Sequence, residues 1–272
     1  MADELKLPKG DLMKGKKGIV TGVANHNSIA WGIASQLAAQ GAEMAFFYLP
    51  DMEKRVRPLA ESLGVKVAAP ADVSDDASMD AAFAAVERAF GGIDFFVHAI
   101  AFAPRDQISG SFVENATRQG FLTAMEISAF SFVDCARRSA ALMPGGGSIV
   151  TLTYMGSERA IPNYNTMGVA KAALEASVRY AARDLGPKGV RVNAVSPGAM
   201  RTLSLAGIQG GRAMLAKGRS LSAMKEDTSM EGVAGCALWL LSDLGRSTTG
   251  EVVHVDAGFH IMGFTEDDGG EG

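Results

Sequence analysis

Short apolar runs alternate with longer segments of helical spacing along this chain, and that alternation leaves few folds open. Lys17-Gly18-Ile19-Val20-Thr21-Gly22, Glu43 to Tyr48, Val65 to Ala69, Asp94 to Ala99, Ser148 to Thr153, Val190 to Val195 and Val252 to Val255 read as strands. Between them Ile29 to Gln40, Met52 to Leu63, Asp75 to Phe90, a long region from about Glu114 to Leu142, Thr166 to Leu185 and Met230 to Leu241 read as helices. The strands are apolar along their length rather than alternating, which is expected when helices cover both faces of a parallel sheet. The pattern predicts an α/β fold: a single doubly wound Rossmann-type domain, with a mainly parallel sheet, right-handed crossovers and helices on both faces. No Pro/Ser-rich linker and no shift in composition divides residues 1–272. The acidic, glycine-rich stretch from Thr265 to Gly272 is expected to be disordered.

Composition narrows the function. With 47% hydrophobic and 21% charged residues the chain can bury a full core, and a net charge of -4 offers no excess of cations for nucleic acid or anionic membrane. Cys135 and Cys236 stand in apolar helical contexts without CxxC or Cys/His spacing, as expected of buried thiols in a reducing compartment. His26, His98, His254 and His260 show no ligand spacing, so no metal site is expected. Met1 to Lys17 has no apolar stretch of a signal peptide, and no window approaches the ~20 apolar residues of a membrane span. A soluble cytoplasmic protein is expected.

The first strand–loop–helix turn suggests a nucleotide. Gly22 allows a tight turn, and Ser28 is placed to cap the helix that opens at Ile29, whose free N–H groups and positive dipole end suit a diphosphate. Gly22-x5-Ser28-x-Ala30-x-Gly32 is not a full GxGxxG, and Gly32 is expected to permit close packing of the helix on the sheet. Asp72 either accepts from an adenine amino group, with Val73 against the ring, or caps the next turn. The second strand ends at Tyr48-Leu49-Pro50-Asp51, where no arginine stands immediately for a 2′-phosphate, although Lys54 and Arg55 are close, and NADH is favoured over NADPH.

Tyr154 to Lys171 joins a strand's carboxyl end to the start of a helix, the region where open α/β sheets bind ligands. Two of the chain's 4 tyrosines, Tyr154 and Tyr164, fall in it. A phenol is a hydrogen-bond donor, and a nearby lysine cation can lower its pKa or hold a sugar hydroxyl.

Taken with Gly22-x5-Ser28-Ile29-Ala30, Asp72-Val73, His98-Ala99-Ile100-Ala101-Phe102-Ala103-Pro104, Glu158 to Asn165, Arg191 to Ala194, Arg201-Thr202-Leu203 and Gly250 to Asp256, these residues resemble the short-chain dehydrogenase/reductase superfamily. Within it the chain is similar to the bacterial enoyl-acyl-carrier-protein reductases of the FabI type. Ordinary members carry Tyr-x3-Lys; here Met167 holds that position and Tyr164 gives Tyr-x6-Lys. The resemblance implies NADH-dependent reduction of the double bond of a trans-2-enoyl thioester carried by acyl-carrier protein, in fatty-acid synthesis. It implies that Tyr164 donates to the thioester carbonyl, that Lys171 holds the nicotinamide ribose, and that Tyr154 is a supporting wall or second donor. Gly22, Ser28, Ile29, Asp72, Val73, Ile100, Ala101, Met200 and Thr202 would complete the cofactor site, and Phe102, Ala103 and Met167 would join the tyrosines around the substrate. A flap over residues 200–228 and a homotetramer of paired dimers are implied as well.

The chain also departs from the pattern. Ala99 replaces a frequent serine, Gly211 replaces a usual aromatic residue and is expected to widen or loosen the pocket, and Ser222-Ala223-Met224-Lys225-Glu226-Asp227 stands where proline and basic residues are usual. A 3-ketoacyl reductase and a non-catalytic nucleotide-binding paralogue are the competing expectations.

Overall fold

Every apolar run named above forms a strand. The computed structural model describes residues 5–206 and 210–263, so the tail from Thr265 lies outside the described residues. The strands are β1 (Lys17–Thr21), β2 (Glu43–Tyr48), β3 (Val67–Pro70), β4 (Phe95–His98), β5 (Gly147–Leu152), β6 (Val190–Pro197) and β7 (Val252–Val255). The helices are α1 (Ile29–Ala39), α2 (Glu53–Ser62), α3 (Asp76–Phe90), α4 (Phe112–Asn115), α5 (Arg118–Met125), α6 (Ser131–Ala141), α7 (Asn165–Leu185), α8 (Leu203–Ala206), α9 (Gly211–Leu221) and α10 (Met230–Leu241).

The sheet has 7 strands in the order β3-β2-β1-β4-β5-β6-β7, and every pairing is parallel. Successive side chains of a strand point to opposite faces, and the two cores follow from that. Phe46, Phe95, Val97, Val150 and Val195 face α1, α2 and α10, where Ile33, Leu37, Val56 and Leu240 meet them. Phe47, Phe96, Ile149 and Val192 face α3, α6 and α7, against Phe83, Phe132 and Leu174. Each large side chain buried in this way contributes about 1.5–3 kcal/mol of transfer free energy, which is why the runs are apolar on both faces.

Two expectations change. The glycine at position 32 does not seat its helix on the sheet: a Cβ there would lie 2.4 Å from Cγ and Sδ of Met230, so the close approach is between α1 and α10. The long helical region is broken, with a π-helical turn at Glu126–Phe130 between α5 and α6. That turn rotates Ser128 and Ser131 inward. Ser128 Oγ accepts from Phe102 N at 2.9 Å and donates to Phe102 O at 2.9 Å, fixing the chain that leaves β4. No glycine or proline in Glu126 to Phe130 announces the extra residue.

Candidate active site

The carboxyl ends of the strands open into a cavity of about 420 Å³, lined by Thr21, Tyr48, Leu152 and Pro197 among others. It lies where the sheet order reverses, between β1 and β4, because the crossovers from these neighbours run to opposite sides and leave a crevice. Thr21 Oγ1 donates to Val97 O and accepts from Ala99 N, each at 3.0 Å, and so holds the two strand tips together. Gly22 follows at φ 80°, where a Cβ would fall 2.0 Å from Ala99 O. No other residue fits there.

Ser28, Ile29 and Ala30 bring the start of α1 to the cavity wall. Ser28 sits at the cap position, but its hydroxyl does not cap: Oγ donates to Asn25 O at 2.7 Å and accepts from Ala24 N at 3.4 Å. The side chain braces the preceding loop instead. First-turn N–H groups have no partner within their own helix, so this end still presents donors and a positive dipole to an anion.

Leu49, Met52, Val73 and Met79 make the far end of the cavity apolar. Val73 lies in the wall as expected. The Asp72 carboxylate turns to its own loop, with Oδ1 accepting from Ser74 N at 2.9 Å and Ser74 Oγ at 2.6 Å. The cap of α3 is Asp75, which accepts from Ala77 N and Ser78 N. Ile100, Ala101, Met200 and Thr202 line the middle.

At the opposite end Tyr154, Tyr164 and Lys171 come together. Tyr164 occupies the cap position of α7 and Lys171 stands seven residues on, two helical turns later. At 3.6 residues per turn that spacing returns to nearly the same direction, so Tyr-x6-Lys places phenol and ammonium on one face. Asn163 and Asn165 flank the tyrosine with positive φ, 64° and 41°. Asn165 Nδ2 donates to Gly110 O at 3.1 Å, and Asn163 Oδ1 accepts from Gly110 N at 3.0 Å, which anchors the turn. Gly156 leaves room for the ring, since a Cβ there would lie 2.2 Å from Tyr164 Cδ1. The two tyrosine rings meet edge to face, centroids 5.0 Å apart at 66°.

Burial dominates the electrostatics. Lys171 is 5% exposed and donates to Leu152 O at 2.7 Å. Desolvation lowers its pKa to about 8, against the opposing pull of Glu175. Tyr164 is 7% exposed, and burial, then Tyr154 and Glu175, push its phenol well above the ordinary value. The expected lowering of a tyrosine pKa by the lysine is therefore absent from this arrangement, because desolvation of the phenolate wins. Tyr154 is raised too, by burial and then by Asp256. Both phenols are held as neutral donors.

Three of the residues expected around the substrate are not part of this cavity's wall. Ala103 and Met167 pack with Tyr164 in a small apolar cluster behind it, and Phe102 is 50% exposed; none of the three lines the cavity. Gly211 opens no gap. A Cβ there would lie 2.4 Å from Leu205 O, so α8 closes directly on the start of α9, and Leu205 and Met214 form the covering wall. Arg219 is paired with Asp227 on this cover. Thr21, Leu152, Thr153 and Pro197 were within reach of the strand-end rule. Met52, Met79 and Met214 carried no comparable signal, because helical methionines are usual core residues. Among the described residues lining the cavity, Lys171 is the one with a charged side chain.

Sheet order, glycine turn and a phenol–lysine pair over one crevice define a dinucleotide-dependent oxidoreductase. A family model described as "Enoyl-(Acyl carrier protein) reductase" matches residues 22–260. The chain is 51% identical over 251 residues to enoyl-[acyl-carrier-protein] reductase [NADH] 2 of Rhizobium meliloti, covering 92% of this chain and 93% of the relative. It is 48% identical to the FabI enzyme of Salmonella typhimurium, over 93% of this chain and 97% of that one. The crystal structure of an enoyl-(acyl-carrier-protein) reductase from Anaplasma phagocytophilum in complex with NAD superposes with a TM-score of 0.92 at 50% identity, covering 96% of this chain and 99% of the other. The chain belongs to the enoyl-(acyl carrier protein) reductase family.

Proposed function

We propose that this chain is an NADH-dependent reductase of the carbon–carbon double bond of trans-2-enoyl thioesters presented by acyl-carrier protein, working in fatty-acid synthesis. The observation that carries this reading is the placement of Tyr164 and Lys171 on one face at the end of a cavity whose other described lining residues are uncharged. The residues fit NADH: Gly22 admits a close backbone approach, the start of α1 offers N–H donors, and the Leu49–Met52–Val73–Met79 end, which has no cation among its described lining residues, suits adenine. Bound there, NADH supplies a hydride for the β-carbon.

The protein's part is to meet the charge that builds on the thioester oxygen. Tyr164 O–H donates to that oxygen, and a preorganised donor in a dry site lowers the barrier as negative charge grows. Burial keeps the phenol protonated, so the donor is present at any working pH. Lys171 donates to the ribose hydroxyls from its seat beside Leu152 O. Tyr154 walls the same space. Met167, in the tyrosine position of the ketone reductases, is packed among Ala103, Ala124 and Tyr164 and has no proton to give. The half-buried edge strand β7 suits a subunit contact, in keeping with a cytoplasmic homotetramer.

Side-by-side assays of NADH oxidation with a crotonoyl thioester and its 3-ketoacyl counterpart test the reading. Turnover of the enoyl thioester alone is expected. Turnover of the ketone alone would move the chain to carbonyl reduction, and tight NADH binding with no turnover of either would mark a non-catalytic relative.

A further inference from the structure

Glu175 is a buried carboxylate, 7% exposed, one helical turn beyond Lys171 on α7, and it does not line the cavity. Burying a carboxylate is costly unless its oxygens are satisfied. Here Oε1 receives Thr153 Oγ1 at 2.6 Å and Ser157 Oγ at 2.5 Å. Ser157 Oγ also lies 3.0 Å from Tyr154 O, but it has one proton, and the shorter bond to the charged acceptor is the stronger claim on it. Both hydroxyls belong to the segment that leaves β5 and carries Tyr154. The carboxylate thus fastens that segment to the helix that carries Lys171.

We infer that Glu175 is a positioning residue for the reduction, which ties the Thr153–Ser157 segment to α7 and supplies the counter-charge for the Lys171 ammonium. The inference rests on the function proposed above. The groups around the ammonium leave this role to Glu175. Tyr164 and Tyr154 are neutral phenols held above their ordinary pKa. His98 on β4 is buried between Thr151 and Ser131, and burial, then the charge on Lys171, lowers it to about 3, so it too is neutral. Asp256, after β7, acts on Tyr154 and is engaged by Gly258 N and His260. Glu175 is the carboxylate that raises the lysine against the burial that lowers it.

The test is the pH profile of kcat/KM for NADH, which reports groups of the free enzyme, in wild type, Glu175→Gln and Glu175→Asp. Gln keeps an acceptor for both hydroxyls and removes the charge, so the basic limb should move about 1 pH unit to the acid side. Asp keeps the charge and withdraws it from the hydroxyls, so the limb should stay while kcat falls severalfold. A Gln variant with the wild-type limb overturns the inference, as does an Asp variant whose limb moves. Should the Gln protein fail to fold by circular dichroism, the Asp variant still decides: a wild-type limb with kcat reduced severalfold upholds the inference, and an unchanged kcat overturns it. Wild-type protein that turns over no enoyl thioester would instead sink the proposed function, a distinct outcome.

Discussion

Replacing Tyr164 by phenylalanine removes one oxygen and leaves the ring where it is. The ring's contacts with Tyr154, Gly156, Ala103 and Met167 all survive, so the fold should scarcely register the change. Loss of one hydroxyl with packing intact should alter stability by no more than about 1 kcal/mol, or roughly 2–4 °C in Tm for a chain of this size. The rate is another matter. Loss of one preorganised donor to a developing oxyanion costs about 10²–10³-fold in kcat. Tyr154, its ring centroid 5.0 Å away, leaves a second phenol near the same oxygen, which sets the expectation at the lower end, about 10²-fold. Because burial holds Tyr164 protonated, the loss should be the same at every pH of the assay. Steady-state kinetics with crotonoyl thioester, beside a thermal melt, measure all three quantities. An unchanged kcat would assign the donor elsewhere, and a loss confined to KM would make the phenol a wall instead of a donor.

Lys171→Met should remove both the grip on the coenzyme and an alkaline pH response of the fold. The folded pKa of about 8 lies below 10.5, so the cost of burying the ammonium is complete below pH 8 and is relieved as pH rises through that window. That cost is about 3 kcal/mol, but the variant also gives up the bond to Leu152 O and leaves the buried Glu175 without its cation, so no net gain is expected at neutral pH. What should vanish with the ammonium is the rise in stability from pH 8 to 10.5, together with NADH binding. A variant whose urea midpoint climbs over that range as the wild type's does, or a normal Kd for NADH, would contradict it. His98 should weaken the fold in acid: its folded pKa of about 3 lies below 6.5, so between the two the unfolded chain takes up a proton that the native state refuses. Wild type should lose stability at up to about 1.4 kcal/mol per pH unit below that upper value, as read from urea midpoints, and His98→Gln should lose less; parallel slopes would refute the assignment.

The frame of the molecule was legible because its signals are local. Apolar runs such as Glu43 to Tyr48 and Met230 to Leu241 carry their own period and end where the structure ends them. The Tyr164–Lys171 pair was legible through its resemblance to the Tyr-x6-Lys spacing of the enoyl reductases, and the structure adds the reason, two helical turns that give a common face. What failed depends on which neighbour faces a residue. Gly32 meets Met230 rather than the sheet, the Ser28 hydroxyl bends to Asn25 rather than to its helix, and the Gly211 position is filled by the backbone of Leu205. The pKa of Tyr164 could not be read from a lysine seven residues away, because the sign is set by the depth of burial. Glu175 had one faint sequence signal, its place one turn beyond Lys171, but exposed i,i+4 pairs of this kind are common on helices. Its partners Thr153 and Ser157 come from another segment.

A crevice with a single ionic side chain among its described lining residues has an unusual acid–base character. Backbone amides at the head of α1 cannot titrate, so the grip on a diphosphate drawn from them is indifferent to proton concentration. Neutral tyrosines and a neutral histidine stay silent across the same range. With Lys171 in the role proposed for it, what the described lining senses of the surrounding pH passes through one amine, and a cell that turned alkaline would loosen the sugar end of the coenzyme first, while the phosphates stayed held.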